Sequence, residues 1–433
     1  MNSSTTTILS NIPGFTQKLV SNDATEQGPE YIKTKRCCFN NKDYKIISYD
    51  KSLLNTEELV STYGALRSVV VNSENQVIGV SPPKSTPYWT FISEHQLLRE
   101  EDWLSETPEQ YVVAEEFVEG VMINVFWDPC VASFILSTKN TIGAHTSFYV
   151  TDERMTFSQM FYEAANAARL DIQMLNREYS YSFVLQHPKH ALVTHFLQPL
   201  LKLVAVYKIK QDGTEHVKVT RVDLNVAMSC DHLRESGVLY PKRYDTEQLS
   251  TYNHLIDLYS SVITPYYIQG ILFRNVETGE HCKMRNPNFE QVRRLRGNQP
   301  KPQFQYLTLR KTGHVGEFLS FYPEFAQEFE VYRDQVHEFT SKLLSYYCDC
   351  YIKKTAPLNT FLKQYRTHMF NLSILYKTTL KPDNRFVNKL EVIQYVNSLA
   401  PEHLMYALNY EHRTNAANEL DSVAQSSAYQ TTF

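Results

Sequence analysis

From Ser68 to about Met284 the apolar residues come in short β-type runs: Val69-Val70-Val71, Gln76 to Val80, Met122 to Trp127, Phe134 to Ser137, Tyr181 to Leu185, Leu203 to Tyr207 and Ile271 to Phe273. Helical stripes interrupt them. Thr156 to Leu170 carries Phe157, Met160, Phe161, Ala164 and Ala168 on one face, and Glu247 to Val262 is a second such stretch. Strands with intervening helices of this kind predict an α+β domain on antiparallel sheet. Beyond Gly313 and Gly316 the period changes. Phe325, Phe329, Tyr332, Val336, Phe339, Leu343 and Tyr347 recur at steps of three and four, the spacing of one long amphipathic helix whose aromatic stripe is core. Pro357 breaks the pattern. Helices are then expected over Asn359 to Leu380, Asn388 to Leu399 and Pro401 to Asn409. The expected organisation is a flexible N-terminal segment (1–40), a sheet domain (41–310), an all-helical C-terminal domain (311–412) and a flexible polar tail (413–433).

At 433 residues the chain exceeds one ordinary core, which agrees with two domains. The net charge of -4 excludes a surface coated in basic residues, so any nucleic-acid contact has to be a local groove. The first fifteen residues lack an apolar stretch of signal-peptide length, and no run of about 18 apolar residues occurs. Seven scattered cysteines do not make a disulfide framework, which points to a reducing, cytoplasmic setting with no membrane partner. The close pairs Cys37-Cys38 and Cys348-Asp349-Cys350 lack zinc-site spacing, and no metal ligands are assigned.

The thirteen glycines form neither a dinucleotide fingerprint nor a P-loop. What remains is an ordered series of short segments: Arg67; Pro83-Lys84; Glu116 to Gly120; Ser137-Thr138-Lys139-Asn140-Thr141-Ile142; Phe183 to Pro188; Gln269-Gly270-Ile271-Leu272-Phe273-Arg274; and Lys283-Met284-Arg285. Alternation places Val113, Glu115, Phe117 and Glu119 on one strand face, and two glutamates there favour a cleft over a closed core. Arg293, Arg294 and Arg296 read equally as a solvated helix face or a phosphate-facing patch.

In this order, over roughly residues 45 to 300, the segments resemble the nucleotidyltransferase motifs of the bacteriophage tRNA-repair RNA ligase family. The resemblance implies an ATP-grasp-like nucleotidyltransferase core: an antiparallel sheet with flanking helices. In that family a K-x-D-G lysine attacks the α-phosphate of ATP. Here the matching segment is Phe117-Val118-Glu119-Gly120, so Phe117 stands at the nucleophile position while Glu119 and Gly120 are kept. Val184 stands where an acidic residue is usual, and Gln269 where a metal-facing glutamate is usual. Arg67, Lys84, Lys139, Lys283 and Arg285 match phosphate-contacting positions, with Gln269 beside them. Tyr322-Pro323-Glu324, His368 to Leu372 and Leu404 to Asn409 look more specifically like the RNA ligase-like proteins of nucleocytoplasmic large DNA viruses.

Phenylalanine can neither lose a proton nor form a phosphoramidate, and an amide is a poor ligand for a hard cation. The resemblance therefore implies a degenerate, RNA ligase-like pseudoenzyme of viral origin. Lysyl-AMP formation is expected to be lost, and ATP and Mg²⁺ to bind weakly or not at all. The protein would act in nucleotide or RNA binding, or beside viral structural proteins as a virion component. The alternative is an active ATP-dependent RNA ligase that joins 5′-phosphate and 3′-hydroxyl ends through a different lysine, Lys84 or Lys139.

Overall fold

The computed structural model describes residues 6–21, 30–94, 112–147, 155–244, 252–411 and 413–414. The chain divides into two compact units, 1–294 and 295–433. Apart from 413–414, which are helical, the expected C-terminal tail lies outside the described residues.

The first unit is built on antiparallel sheets. In chain order its strands begin with Thr6–Ile8 (β1), Ile32–Phe39 (β2), Lys42–Tyr49 (β3), Val69–Val71 (β4) and Val77–Val80 (β5). Val112–Glu116 (β6), Val121–Asp128 (β7), Ser133–Ser137 (β8), Tyr179–Gln186 (β9) and Leu200–Asp212 (β10) follow. His216–Val222 (β11), Arg243–Tyr244 (β12), Gly270–Asn275 (β13) and His281–Arg285 (β14) complete the set. They form a six-stranded sheet (β1-β11-β10-β9-β7-β8) and two four-stranded sheets, β12-β6-β13-β14 and β2-β3-β4-β5.

The helix Phe157–Ala167 lays the expected stripe on the six-stranded sheet, with Phe161 and Ala164 fully buried against Phe183 and Leu203. Its start is fixed by a reciprocal cap between Thr156 and Gln159. Of the second expected stretch, 247–251 lies outside the described residues and the helix spans Tyr252–Tyr259.

The N-terminal segment is not a flexible tail in its described parts. Residues β1 add an edge strand to β11, with Thr6 opposite Thr220, and Phe15 and Leu19 of the helix Phe15–Val20 are fully buried between two of the sheets. The polar composition of 1–40 hid this because only a few large apolar side chains, among them Leu9, Ile12, Phe15, Leu19 and Ile32, anchor its described parts.

In the second unit the helix Ala326–Tyr347 buries Phe329, Val336, Phe339, Leu343 and Tyr347, so the aromatic stripe is core. Phe339 stacks on Tyr365 of the helix Lys363–Leu375 at 5.0 Å between ring centres. That helix starts later than expected because Pro357 leads into a 3-10 turn, Leu358–Thr360, and it ends in a π turn, Tyr376–Leu380. Lys389–Ser398 and Pro401–Leu408 match the last two expected helices, and Pro302–Thr312 is already part of this unit.

Two glycines of the motif series sit where no other residue fits. Gly120 has φ +142, and a Cβ there would lie 2.4 Å from the Leu185 carbonyl oxygen and 2.7 Å from Val184 Cγ1. Gly270 has φ +140, with the Met284 carbonyl oxygen 2.0 Å from a would-be Cβ. Gly270→Ala is expected to cost roughly 3 kcal/mol through strain and a backbone clash, read as a lowered urea midpoint of the first unit.

Candidate functional site

Strand register builds the site. Leu272 of β13 lies opposite Glu115 of β6 on one side and Lys283 of β14 on the other, and Arg274 lies opposite Val113 and His281. Gly270 faces Arg285, and its carbonyl accepts from the Phe117 amide at 3.4 Å. Because side chains alternate, Glu115, Phe117, Arg274, His281, Lys283 and Arg285 share one face of this sheet. Ala114, Ile271, Phe273 and Cys282 take the other face and pack on Phe91 and Leu255. The sequence His281-Cys282-Lys283-Met284-Arg285 encodes that split directly, with polar residues on odd numbers and apolar ones on even numbers.

Opposite this polar face stand Met122, Val184, Val204 and Arg221 of the six-stranded sheet, and together with Arg67 they enclose a cavity of about 80 Å³. Its walls are strongly cationic. The Lys283 ammonium lies 4.9 Å from the centre of the Phe117 ring, and the Arg285 guanidinium 5.5 Å from the same centre. Phe117 thus offers its electron-rich face to two cations. Glu115 is the cavity's buried carboxylate, and it is committed to Arg274 through two hydrogen bonds, with Arg243 at 3.4 Å. The half-buried Arg221 donates to the Val204 carbonyl at 3.0 Å and lies 6.0 Å from the Tyr207 ring centre.

This excess of positive charge shows in the proton affinities. Burial, then Arg67 and Arg285, take Lys283 from the ordinary lysine value down to about 7. Burial, then Lys283, Arg221, Arg67 and Arg274, keep His281 neutral, well below the usual histidine range. Burial, then Arg67 and Lys51, also lower Lys139. Among the described residues no carboxylate is within ion-pair distance of Arg67 or Lys283. Cations gathered against desolvation without counter-charges fit an anion, and guanidinium forks with an ammonium suit phosphate oxygens.

The candidate residues therefore divide. Phe117, Arg67, Lys283 and Arg285 come together. Lys139 lies over the Tyr49 ring at 5.2 Å, near Arg67 but outside the cavity lining. Lys84 is also outside that lining: the Lys84 ammonium donates to the Leu54 carbonyl at 3.1 Å, and the residue lines an adjoining cavity of about 510 Å³ with Glu57, Glu58 and Glu280, which shares Arg221 and His281 with the cationic one.

Glu119 and Gln269 face a third cavity, of about 330 Å³, with Gln186, Thr194 and Lys242; Phe117 and Glu116 line both this one and the cationic cavity. Glu119 does not share the face of Glu115, because β6 ends at Glu116 and the chain turns before β7. Its carboxylate accepts from the Val193 amide at 2.8 Å and the Thr194 amide at 3.2 Å. Burial pushes that carboxyl up, and these hydrogen bonds pull it back. The Gln269 side-chain oxygen, Oε1, is buried with no hydrogen-bond partner among the described residues, while its backbone carbonyl accepts from the Asn286 amide at 3.1 Å. With Glu115 on Arg274 and Glu119 on backbone amides, the residues present do not fit a protein-held Mg²⁺. Among the described residues no group of three or more His, Cys, Asp or Glu side chains could hold a metal.

Arg293 pairs with Glu290 at 3.1 Å, whereas Arg296 is buried over Tyr322 at 5.5 Å and Phe325 at 4.9 Å, so Arg296 packs and does not belong to a phosphate-facing patch. Sequence reading missed Arg221 and His281. Each carried a signal: Arg221 continues the inward series Val217 and Val219, and His281 continues the series of Lys283 and Arg285. No described helix is long and apolar enough to cross a membrane.

No family model matches the chain, and no curated protein matches it. Among solved structures it is similar to an archaeal ATP-dependent RNA ligase: form 2 at a TM-score of 0.37 and 10% identity, over 84% of this chain and 76% of that one. Form 1 gives 0.34 and 11%, over 88% and 84%. A Naegleria gruberi RNA ligase mutant with ATP and Mn gives 0.29 and 9%, over 42% of this chain, which spans about half (51%) of that protein's length. At such identities and scores it is the chain's own geometry that carries the functional reading.

Proposed function

We propose that the chain is an RNA ligase-like protein whose cationic cavity binds the phosphates of a nucleotide or an RNA end, and whose position 117 has lost the family's lysyl-AMP chemistry. The observation that carries this is the group of Arg67, Arg221 and Lys283 around one cavity whose two carboxylates are already taken, Glu115 by Arg274 and Glu116 by Lys202, while Arg285 at the Phe117 ring pairs with Glu290. Such a group is costly unless an anion shares it. Glu115 and Lys283 flank Leu272 across β6, β13 and β14, with Phe117 just past the end of β6. The role is binding of nucleotide or RNA, or a place in a viral particle; the viral part rests on the resemblance of the C-terminal segments.

The test is thermal unfolding of the full chain with ATP, GTP, inorganic triphosphate or a short 5′-phosphorylated RNA. A ligand at 100 times its Kd adds about 2.7 kcal/mol and raises Tm by several degrees. Lys283→Ala should remove most of that rise. Unchanged melting with every one of these ligands would leave only a scaffolding role.

A further inference from the structure

The amine missing at position 117 is replaced in space. The Lys283 ammonium lies 4.9 Å from the centre of the ring that occupies that position, in a cavity it shares with Arg67 and Arg274. The Arg285 guanidinium flanks the same ring at 5.5 Å. A desolvated lysine beside other cations gives up its proton easily and becomes a nucleophile at neutral pH. Lys283 meets that condition, held near 7 by burial and by Arg67 and Arg285. The same guanidiniums suit the charge of a phosphate held next to the amine.

We propose that Lys283, on β14, is the nucleophile of a covalent nucleotidyl transfer from a nucleoside triphosphate. This rests on the reading that the cavity holds a nucleotide's phosphates. In the step, the Nζ lone pair attacks the α-phosphorus and an N–P bond forms. The bond from the α-phosphorus to the oxygen bridging it to the β-phosphate breaks, and pyrophosphate leaves with that electron pair. The amine proton passes to solvent. Any divalent cation would come with the triphosphate, since among the described residues no carboxylate cluster could hold one. The other lysines of the motif series are placed less well: Lys84 is tied to the Leu54 carbonyl in a different cavity, and Lys139 lies over Tyr49.

The experiment incubates the full-length protein with α-labelled ATP, and separately GTP, plus Mn²⁺, and maps any labelled peptide. The expected result is an acid-labile adduct on Lys283 whose rate of formation rises with pH and levels off above about 7. Lys283→Arg, which keeps the charge, should abolish the adduct and retain part of the nucleotide-induced rise in Tm. A protein that melts higher with nucleotide yet gives no adduct overturns the nucleophile and leaves the binding reading standing. A label on any other residue overturns it as well. With neither adduct nor shift, both readings fall.

Discussion

Lys283→Met should make the protein more stable at neutral pH, by on the order of 2 kcal/mol, while abolishing its response to triphosphate. Each tenfold loss of proton affinity is about 1.4 kcal/mol, and Lys283 falls from an ordinary lysine to about 7. Partial exposure and relaxation discount the full value, hence the smaller figure. Methionine fills a similar volume with no charge to desolvate.

The pH dependence identifies the cause. With its folded value below its unfolded one, Lys283 binds fewer protons in the native state between about 7 and the ordinary lysine value near 10.5. Wild-type stability therefore gains from this group as pH rises through that window. The advantage of Lys283→Met should be full below pH 7, shrink towards 10.5 and vanish above it. Melting both proteins from pH 6 to 10.5 checks this, and a constant difference across the range would assign the gain to packing alone.

The second large effect is expected at Glu115. Its carboxylate and the Arg274 guanidinium are both buried, at 9% and 8% side-chain exposure, and Arg243 approaches it from β12. Glu115→Ala strands Arg274 beside Arg221 and Lys283, at a cost of roughly 3–5 kcal/mol, seen as a lowered unfolding midpoint. The double variant Glu115→Leu, Arg274→Met removes both charges and should recover most of the loss. A single variant no worse than the double one would show that the pair is solvated and that the cavity is wetter than its walls imply. Glu115→Ala also removes one of the cavity's two carboxylates, leaving Glu116 on Lys202, so the surviving folded protein should bind triphosphate more tightly.

Periodicity alone located the helix from Thr156, the aromatic core stripe from Phe329 to Tyr347 and most of the central strands, because each is long or regular enough to bury one face by itself. The N-terminal strand and helix were illegible, because β1 has no apolar run and acquires its place only by pairing with a strand some two hundred residues away. Phe117, Lys283 and Arg285 were legible as an ordered series; alternation gathers Lys283 and Arg285 on one face, and the bond from the Phe117 amide to the Gly270 carbonyl carries Phe117 onto it one residue past the end of β6. Glu119 was misplaced, because alternation holds only while a strand lasts and β6 ends at Glu116.

Taken by itself, the sequence determined the residue types: phenylalanine at the nucleophile position, glycines at two positions where a Cβ would strike backbone, and basic residues spread along the motif series. Only the tertiary structure decided which charges meet. Register across β6, β13 and β14 set Lys283 and Arg285 over Phe117, and packing against the six-stranded sheet brought in Arg67 and Arg221 while sending Lys84 to another cavity and Glu119 and Gln269 to a third. The physical reason is that a lysine's proton affinity depends on its distance from other charges and from water, and neither distance exists until the chain has folded.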